Sequence, residues 1–432
     1  MLVVLGLFIQ VVSLVMILRQ TGRRWIAYTG VLFVIFSVVY HGLSEIIQLV
    51  VPGENPFRWL LLRDSLERWV LIVSIAIFLF SFSYTRKLKQ LACQSTGKMI
   101  PFYTPGIIKW QLILALTIPA YLICISGLSE GQLGYYWMAG LSNQFVLTGI
   151  IMTSFTLLAK IGTAYIVPVI LVQGLMVGLI GSRSTVGLTT FAVLSLLGRY
   201  RISVSSRKIV ISLLVVCLLI VAISAARYSV GRESFVLGDF YERAAALKSG
   251  FEALITGKPL DESLLDVFAY RLDGNSFGAL VYQQLGNKPY AGLKPFWNNL
   301  AMIVPSFLNP LKLEQSVANR NEEAYMVMHY GLPPTEDYTP TTLDVLYCYY
   351  GTPVFFVIVI FLGWVFAVVD DWLLRSQGTF AFLVGVGLTI CVIFVELGVS
   401  IYPNTFRGIF TLWIFLAVIN DAKRYIHKSQ NA

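Results

Sequence analysis

Residues 1–18 read MLVVLGLFIQVVSLVMIL, an apolar run without a single charge, and Arg19, Arg23 and Arg24 follow it directly. A bilayer core about 30 Å thick is crossed by about 20 apolar helical residues, so this run is of spanning length. A secretory signal would carry its basic residues before the apolar run and a small-residue cleavage site after it. Here the charge follows, which predicts a retained first helix with its N-terminus outside.

The rest of the chain repeats that pattern. Of 432 residues, 57% are hydrophobic and 13% charged, against roughly 25% charged in a soluble domain. Apolar runs predict eleven spans, at about 1–18, 26–49, 69–84, 110–127, 144–159, 161–181, 186–198, 209–226, 346–369, 379–400 and 406–420. The short run 186–198 is compatible with a re-entrant segment as well as with a span.

Charge orders these runs across the bilayer. On one side fall Arg19, Arg23 and Arg24, then Arg86, Lys87, Lys89, Lys98 and Lys109, then Lys160, then Arg199, Arg201, Arg207 and Lys208, then Arg375, and finally Lys423, Arg424 and Lys428. Only Asp370, Asp371 and Asp421 accompany these 17 basic residues, out of 32 basic and 23 acidic in the chain. Short loops biased in this way face the cytoplasm, so the N-terminus is expected outside and the C-terminus inside.

The expected organisation is therefore all-α and polytopic, with about 11 transmembrane helices. An N-terminal bundle covers 1–226, a large outer loop 227–345 and a C-terminal bundle 346–432. The net charge of +9 is explained by the loops, and without a basic patch interleaved with aromatics no nucleic acid partner is implied. Cys93, Cys124, Cys217, Cys348 and Cys391 form no CxxC pair, so neither a disulfide framework nor a zinc site follows.

The outer segment has its own structure-forming signals. Phe240, Ala244, Leu247, Phe251 and Leu254, then Leu264, Leu265, Phe268 and Leu272, recur at helical spacing, and Gly257-Lys258-Pro259, Asn287-Lys288-Pro289 and Leu332-Pro333-Pro334 break it into pieces. Phe296 to Leu308 is apolar but too short to cross, and is expected at the interface or dipping into the bundle. So large a loop is more than a connector. No internal repeat is visible, which weighs against an inverted-repeat transporter.

No P-loop, GxGxxG, HExxH or GxSxG occurs, and His41, His329 and His427 are scattered. What stands out is arginine on the expected outer side. Arg183 lies in Gly181-Ser182-Arg183-Ser184-Thr185, where small residues and a following helix N-terminus favour an anion. Arg407 follows Tyr402-Pro403-Asn404-Thr405-Phe406, Arg227 closes the eighth span, and Arg271 and Arg320 lie in the loop. Arginine suits a bidentate grip on phosphate oxygens; interfacial anchoring and structural ion pairing are the plainer readings of each.

The loop also gathers Glu322, Glu323, His329, Glu336, Asp337 and Asp344, from which a base beside a bound phosphate would come. Tyr325, Tyr330, Tyr338, Tyr347, Tyr349, Tyr350, Trp297 and Trp137 suit either sugar stacking or an interfacial belt. Glu45 and Glu396 fall inside spans near their outer ends, where an ionisable group is a functional candidate.

These residues support a resemblance. Ile303-Val304-Pro305-Ser306-Phe307-Leu308-Asn309-Pro310-Leu311-Lys312, then Thr339-Pro340-Thr341-Thr342-Leu343-Asp344-Val345-Leu346-Tyr347, with Tyr350-Gly351 opening a span, resembles bacterial Wzy-type polysaccharide polymerases. The element at 181–185 and the layout, with a large loop before the last three spans, are also similar. Ser306 and Asn309 stand where family members often carry arginine and tryptophan.

The resemblance implies a GT-C-like membrane glycosyltransferase of the bacterial inner membrane, with a periplasmic loop and no metal or other cofactor. Polyprenyl-diphosphate-linked oligosaccharides would be its substrates, and membrane lipids, a chain-length regulator and a flippase its partners. Arg183, Arg227, Arg271, Arg320 and Arg407 would hold the diphosphate, and His329, Asp337 or Glu323 would act as base. An O-antigen ligase-like enzyme, a transporter of lipid-linked sugars and a structural scaffold are the rival readings.

Overall fold

The computed structural model describes residues 1–50, 58–94, 183–199, 273–285, 288–297, 322–333, 340–376 and 379–393. Shorter pieces (245, 248–249, 252, 398–399, 401–403, 405–410, 413–414 and 417) complete the described set. Among the described residues every regular element is helical. Four helices among the described residues are long and apolar enough to cross a membrane: Leu2–Thr21, Thr29–Gln48, Arg63–Cys93 and Thr352–Arg375.

Contacts divide the chain into two units. One comprises Met1–Ile100, Asp261–Arg375 and Cys391–Asn404, the other Pro101–Leu260, Ser376–Ile390 and Thr405–Ala432. The first unit is built on α1 (Leu2–Thr21), α2 (Thr29–Val38), a π turn (Val39–Leu43) leading into α3 (Ser44–Val50), and α4 (Arg63–Gln94). In the second, α5 (Arg183–Arg199) buries Ala192, Val193, Leu196 and Leu197. The first unit then adds α6 (Gly274–Gln284), α7 (Glu322–Tyr330), α8 (Thr342–Tyr350) and α9 (Thr352–Arg375), and α10 (Thr379–Ile393) follows.

Helices α1, α4 and α9 run parallel, and α2–α3 returns between them. The α-amino group of Met1 lies 3.4 Å from Glu67 at the start of α4, and Arg375 donates to Leu91 O, 3.4 Å away, near its finish. One end of this bundle therefore holds Arg19, Arg86, Lys87, Lys89 and Arg375, and the other holds Glu45, Asp64, Glu67 and Asp273 alongside Arg58, Arg63 and Arg68.

Helix α4 extends well beyond the apolar run 69–84. Its 32 residues reach about 48 Å at 1.5 Å each, so its flanks leave a core about 30 Å thick. The charged flank stays helical through i,i+4 pairs, Arg63 with Glu67 at 3.3 Å and Arg68 with Asp64 at 2.9 Å. Such pairs extend a helix without any hydrophobic signal.

The expected span 346–369 is shifted. Residues 342–350 form the separate buried helix α8, and the spanning helix starts at Thr352. Gly351 makes the break: its φ is 72°, and a Cβ there would sit 2.2 Å from the Tyr290 ring. Only glycine meets both demands.

Parts of the outer segment fold into the first unit. In α6, Gly274 through Val281 are all buried. Gly278 lets α6 approach α4 so closely that a Cβ would lie 2.2 Å from the Trp69 ring. Helices α6, α7 and α8 share a core of Phe277, Leu280, Val281, Met326, Val327, Tyr330, Val345, Cys348 and Tyr349. Tyr330, Tyr347 and Tyr349 are thus core residues at 1% exposure each, whereas Trp297 is exposed.

At the basic end, Asp370 proves to be a buried part of α9. Its Oδ1 accepts from Thr29 N (3.0 Å) and Thr29 Oγ1 (2.6 Å), and its Oδ2 accepts from Gly30 N (3.0 Å) and Tyr84 OH (2.8 Å). Tyr28, at the N-cap of α2, supplies no side-chain cap, so a carboxylate 341 residues away does so. It satisfies orphan amides and sits at the favourable pole of the helix dipole. Asp370→Ala is expected to cost about 3 kcal/mol, since several buried donors lose a charged acceptor, whereas Asp371→Asn breaks an exposed pair and costs under about 0.5 kcal/mol. Thermal unfolding of the detergent-solubilised variants measures the contrast.

Candidate functional site

A buried polar network occupies the acid-rich end of the first unit. It starts at the π turn, whose wider winding carries His41 inward to 0% exposure; such turns recur at functional positions. One turn on, Glu45 is also buried. Asp273 caps α6 by accepting from Ser276 N at 3.2 Å, which fixes Asn275 in the first turn facing both residues.

Asn275 joins the elements. Its Nδ2 donates to His41 O and to Glu45 Oε1, both at 2.8 Å. With its amide so oriented, Oδ1 is an acceptor and must receive a proton from His41 Nδ1 at 2.8 Å. His41 Nε2 then stands 3.0 Å from Thr341 Oγ1. Thr341 belongs to a capping box in which its hydroxyl accepts from Asp344 N at 3.3 Å and Asp344 Oδ2 accepts from Thr341 N at 2.7 Å. A continuous chain of hydrogen bonds thus links α3, α6 and α8.

Arg58 closes the network on its accessible side. Its guanidinium donates to Glu45 Oε1 (2.7 Å) and Oε2 (3.3 Å) and to Asp273 Oδ2 (2.9 Å) and Oδ1 (3.2 Å). The Arg58 side chain is 18% exposed, against 5% for Glu45 and 1% for Asp273. Burial opposes the Arg58 charge, but the two carboxylates outweigh it and hold the guanidinium above its ordinary range. The triad has one cation for two carboxylates.

Asp344 is different. Burial pushes its carboxyl well above the usual carboxylate range; the bonds to Thr341 pull down, and the Asp273 charge pushes up again. Its Oδ1 is buried with no partner among the described residues.

The residues singled out from sequence fall in several places. His329 lies half-buried on α7, its Nε2 2.9 Å from Pro289 O, so that nitrogen carries the proton and the basic lone pair is on Nδ1. Its ring stacks on Tyr325 at 5.8 Å and meets Tyr330 edge-on at 4.8 Å. Glu323 is on the same helix. Arg183 opens α5 and Arg407 is a half-buried helical residue, both in the second unit. Arg227, Arg271, Arg320 and Asp337 lie outside the described residues, as do Glu336, Tyr338, Trp137, Glu396 and the whole of 303–312.

Among the network's members, sequence reading singled out only Glu45 and Asp344. Two signals were available: the Asp273-Gly274-Asn275-Ser276 cap and the Thr341-x-x-Asp344 box. No family model, curated protein or solved structure matches the chain.

Removing Arg58 strands two buried carboxylates, so Arg58→Ala is expected to destabilise the protein by about 3–5 kcal/mol, read from thermal or denaturant unfolding in detergent. Asp344 adds a pH signature. Its folded pKa is raised, so its contribution is full below the unfolded-state value and is lost as pH rises through the folded one. Wild-type protein should lose stability from acidic to alkaline pH more steeply than Asp344→Asn, which keeps the capping acceptor but cannot ionise.

Proposed function

We propose that the protein is a membrane glycosyltransferase that polymerises polyprenyl-diphosphate-linked oligosaccharide repeat units. The observation that carries this reading is the similarity of 303–351 to Wzy-type polymerases, on a chain whose apolar helices can span a membrane. The geometry is in keeping with it. Helices α6 and α8 contribute Ala279, Leu343, Leu346 and Tyr347 to the core of the spanning helices, and α7, which bears His329 and Glu323, packs in a second core with α6 and α8.

In this reading the chain crosses the bacterial inner membrane about eleven times in a GT-C-like arrangement, with the N-terminus periplasmic and the C-terminus cytoplasmic. The basic end formed by Arg19, Arg86, Lys87, Lys89 and Arg375 supports that orientation.

The reaction couples two lipid-linked glycans. A hydroxyl oxygen of the incoming repeat unit attacks the anomeric carbon that joins the growing chain to its carrier. The new glycosidic C–O bond forms as the bond from that carbon to the diphosphate oxygen breaks. Polyprenyl diphosphate departs with the electron pair, and the hydroxyl proton passes to His329, Asp337 or Glu323. Arg183, Arg227, Arg271, Arg320 and Arg407 stabilise the departing charge, an electrostatic role that a metal fills in other enzymes.

Deleting the gene in its native host and sizing the surface glycans tests the proposal. Single capped repeat units in place of a ladder are expected, and an unchanged ladder overturns the reading for that glycan. Complementation then tests the residues. Arg183→Ala should fail to restore the ladder, and His329→Ala should slow polymer formation by about a hundredfold or more. Full restoration by either variant removes that residue from the site.

A further inference from the structure

A lysine stands beside the contact between α4 and α9, at the basic end of the first unit. Ser83 Oγ donates to Ile360 O at 2.7 Å, and a Cβ at Gly363 would lie 3.2 Å from Ser83 Cβ and from Tyr84 N. Trp364 is therefore level with the end of the apolar run 69–84, and Lys87 follows that run by three residues. The Lys87 ammonium is held over the Trp364 ring, 5.3 Å from its centroid. Side chains on a helix lean towards its N-terminus, which from Lys87 is the direction of the bilayer. Lys87 thus reaches back to the hydrocarbon edge instead of extending out to water.

Among the described residues no carboxylate balances that charge. Asp370 is committed to Thr29, Gly30 and Tyr84, and Asp371 to Arg375 at 2.6 Å. The ring face attracts a cation but brings no negative charge, and an ammonium at the edge of hydrocarbon calls for an anion.

The surroundings narrow the choice of anion. Trp364 is 44% exposed; Phe361, whose ring stacks on it at 6.0 Å, and Val357 are exposed too. At intervals of three and four residues these side chains share one face of α9, an apolar strip that runs from Lys87 towards the bilayer centre. A phosphate at Lys87 with a hydrocarbon chain along that strip describes a lipid. In the orientation proposed above this end faces the cytoplasm, where the leaflet carries anionic phospholipids, whereas the lipid-linked sugars meet the opposite end. We propose that Lys87 and Trp364 form a site for one anionic diacyl phospholipid of the inner leaflet, with its phosphate on the Lys87 ammonium and an acyl chain along Phe361 and Val357. The leaflet rests on that orientation; the site does not depend on glycosyl transfer.

Native mass spectrometry of the purified, delipidated full-length protein tests the site. Offered phosphatidylglycerol and phosphatidylethanolamine of the same chain length, the wild type should retain the anionic lipid about tenfold more strongly, the scale of one charge-assisted hydrogen bond. Lys87→Gln should lose most of that preference. Arg86→Gln and Lys89→Gln, at exposed positions flanking Lys87, should keep it. Equal retention of the two lipids by the wild type, an equal loss in all three variants, or polyprenyl phosphate displacing phosphatidylglycerol from Lys87 would each overturn the proposal. Detergent removes sidedness from this readout, so the leaflet is tested separately. Cys93, exposed near the end of α4, should escape a membrane-impermeant maleimide in intact spheroplasts. Its labelling, located by peptide mapping, would overturn the leaflet assignment, and neither measurement involves turnover of lipid-linked sugars.

Discussion

The side chain of Asn275 is the point at which the spanning helices and the outer segment become one structure. It lies 230 residues from Glu45, yet it accepts a hydrogen bond from His41 and donates two, to a main-chain carbonyl and to a carboxylate. An amide is suited to this because it carries both polarities in a fixed geometry. A carboxylate at 275 would face Glu45 with like charge, and an apolar residue would deprive His41 Nδ1 and the His41 carbonyl of the partner they have here. The π turn and the cap at Asp273 bring its partners to it, and the box at Thr341 holds the far nitrogen of His41.

The two ends of the bundle solve one problem in different ways. At the basic end a single carboxylate, Asp370, meets four donors and needs no cation. At the acidic end, two carboxylates share Arg58 and a third, Asp344, is favoured in its neutral form. The first arrangement is rigid and saturated. The second combines a charge imbalance, a partly accessible arginine and an unpaired carboxyl oxygen, the conditions under which ionisable groups respond to their surroundings. In the proposed orientation it is also the end that faces the lipid-linked sugars.

How much of this was legible depended on the range of the interaction. Helices α1, α2–α3 and α9 announce themselves because a spanning helix must be apolar along its own length. The true reach of α4 did not, since Arg63, Asp64, Glu67 and Arg68 extend it by pairing with one another rather than by burial. Asp370 reads as a loop acid until Thr29 and Tyr84 are seen around it. Asn275 and Ser276 read as loop residues for the same reason, because what buries them comes from α2–α3 and α4. By contrast, the Thr341–Asp344 box and the break at Gly351 are local and visible in sequence. The candidate arginines rest on sequence pattern alone, and of these only Arg183 and Arg407 fall on described helices.

The most direct measurement is turnover by the purified protein, supplied with polyprenyl-diphosphate-linked repeat units in detergent or in vesicles and without other proteins. The proposed activity predicts a ladder of longer lipid-linked glycans with free polyprenyl diphosphate released in step. Folded protein that leaves the repeat units unextended, or that moves them across the vesicle bilayer unchanged, would contradict it.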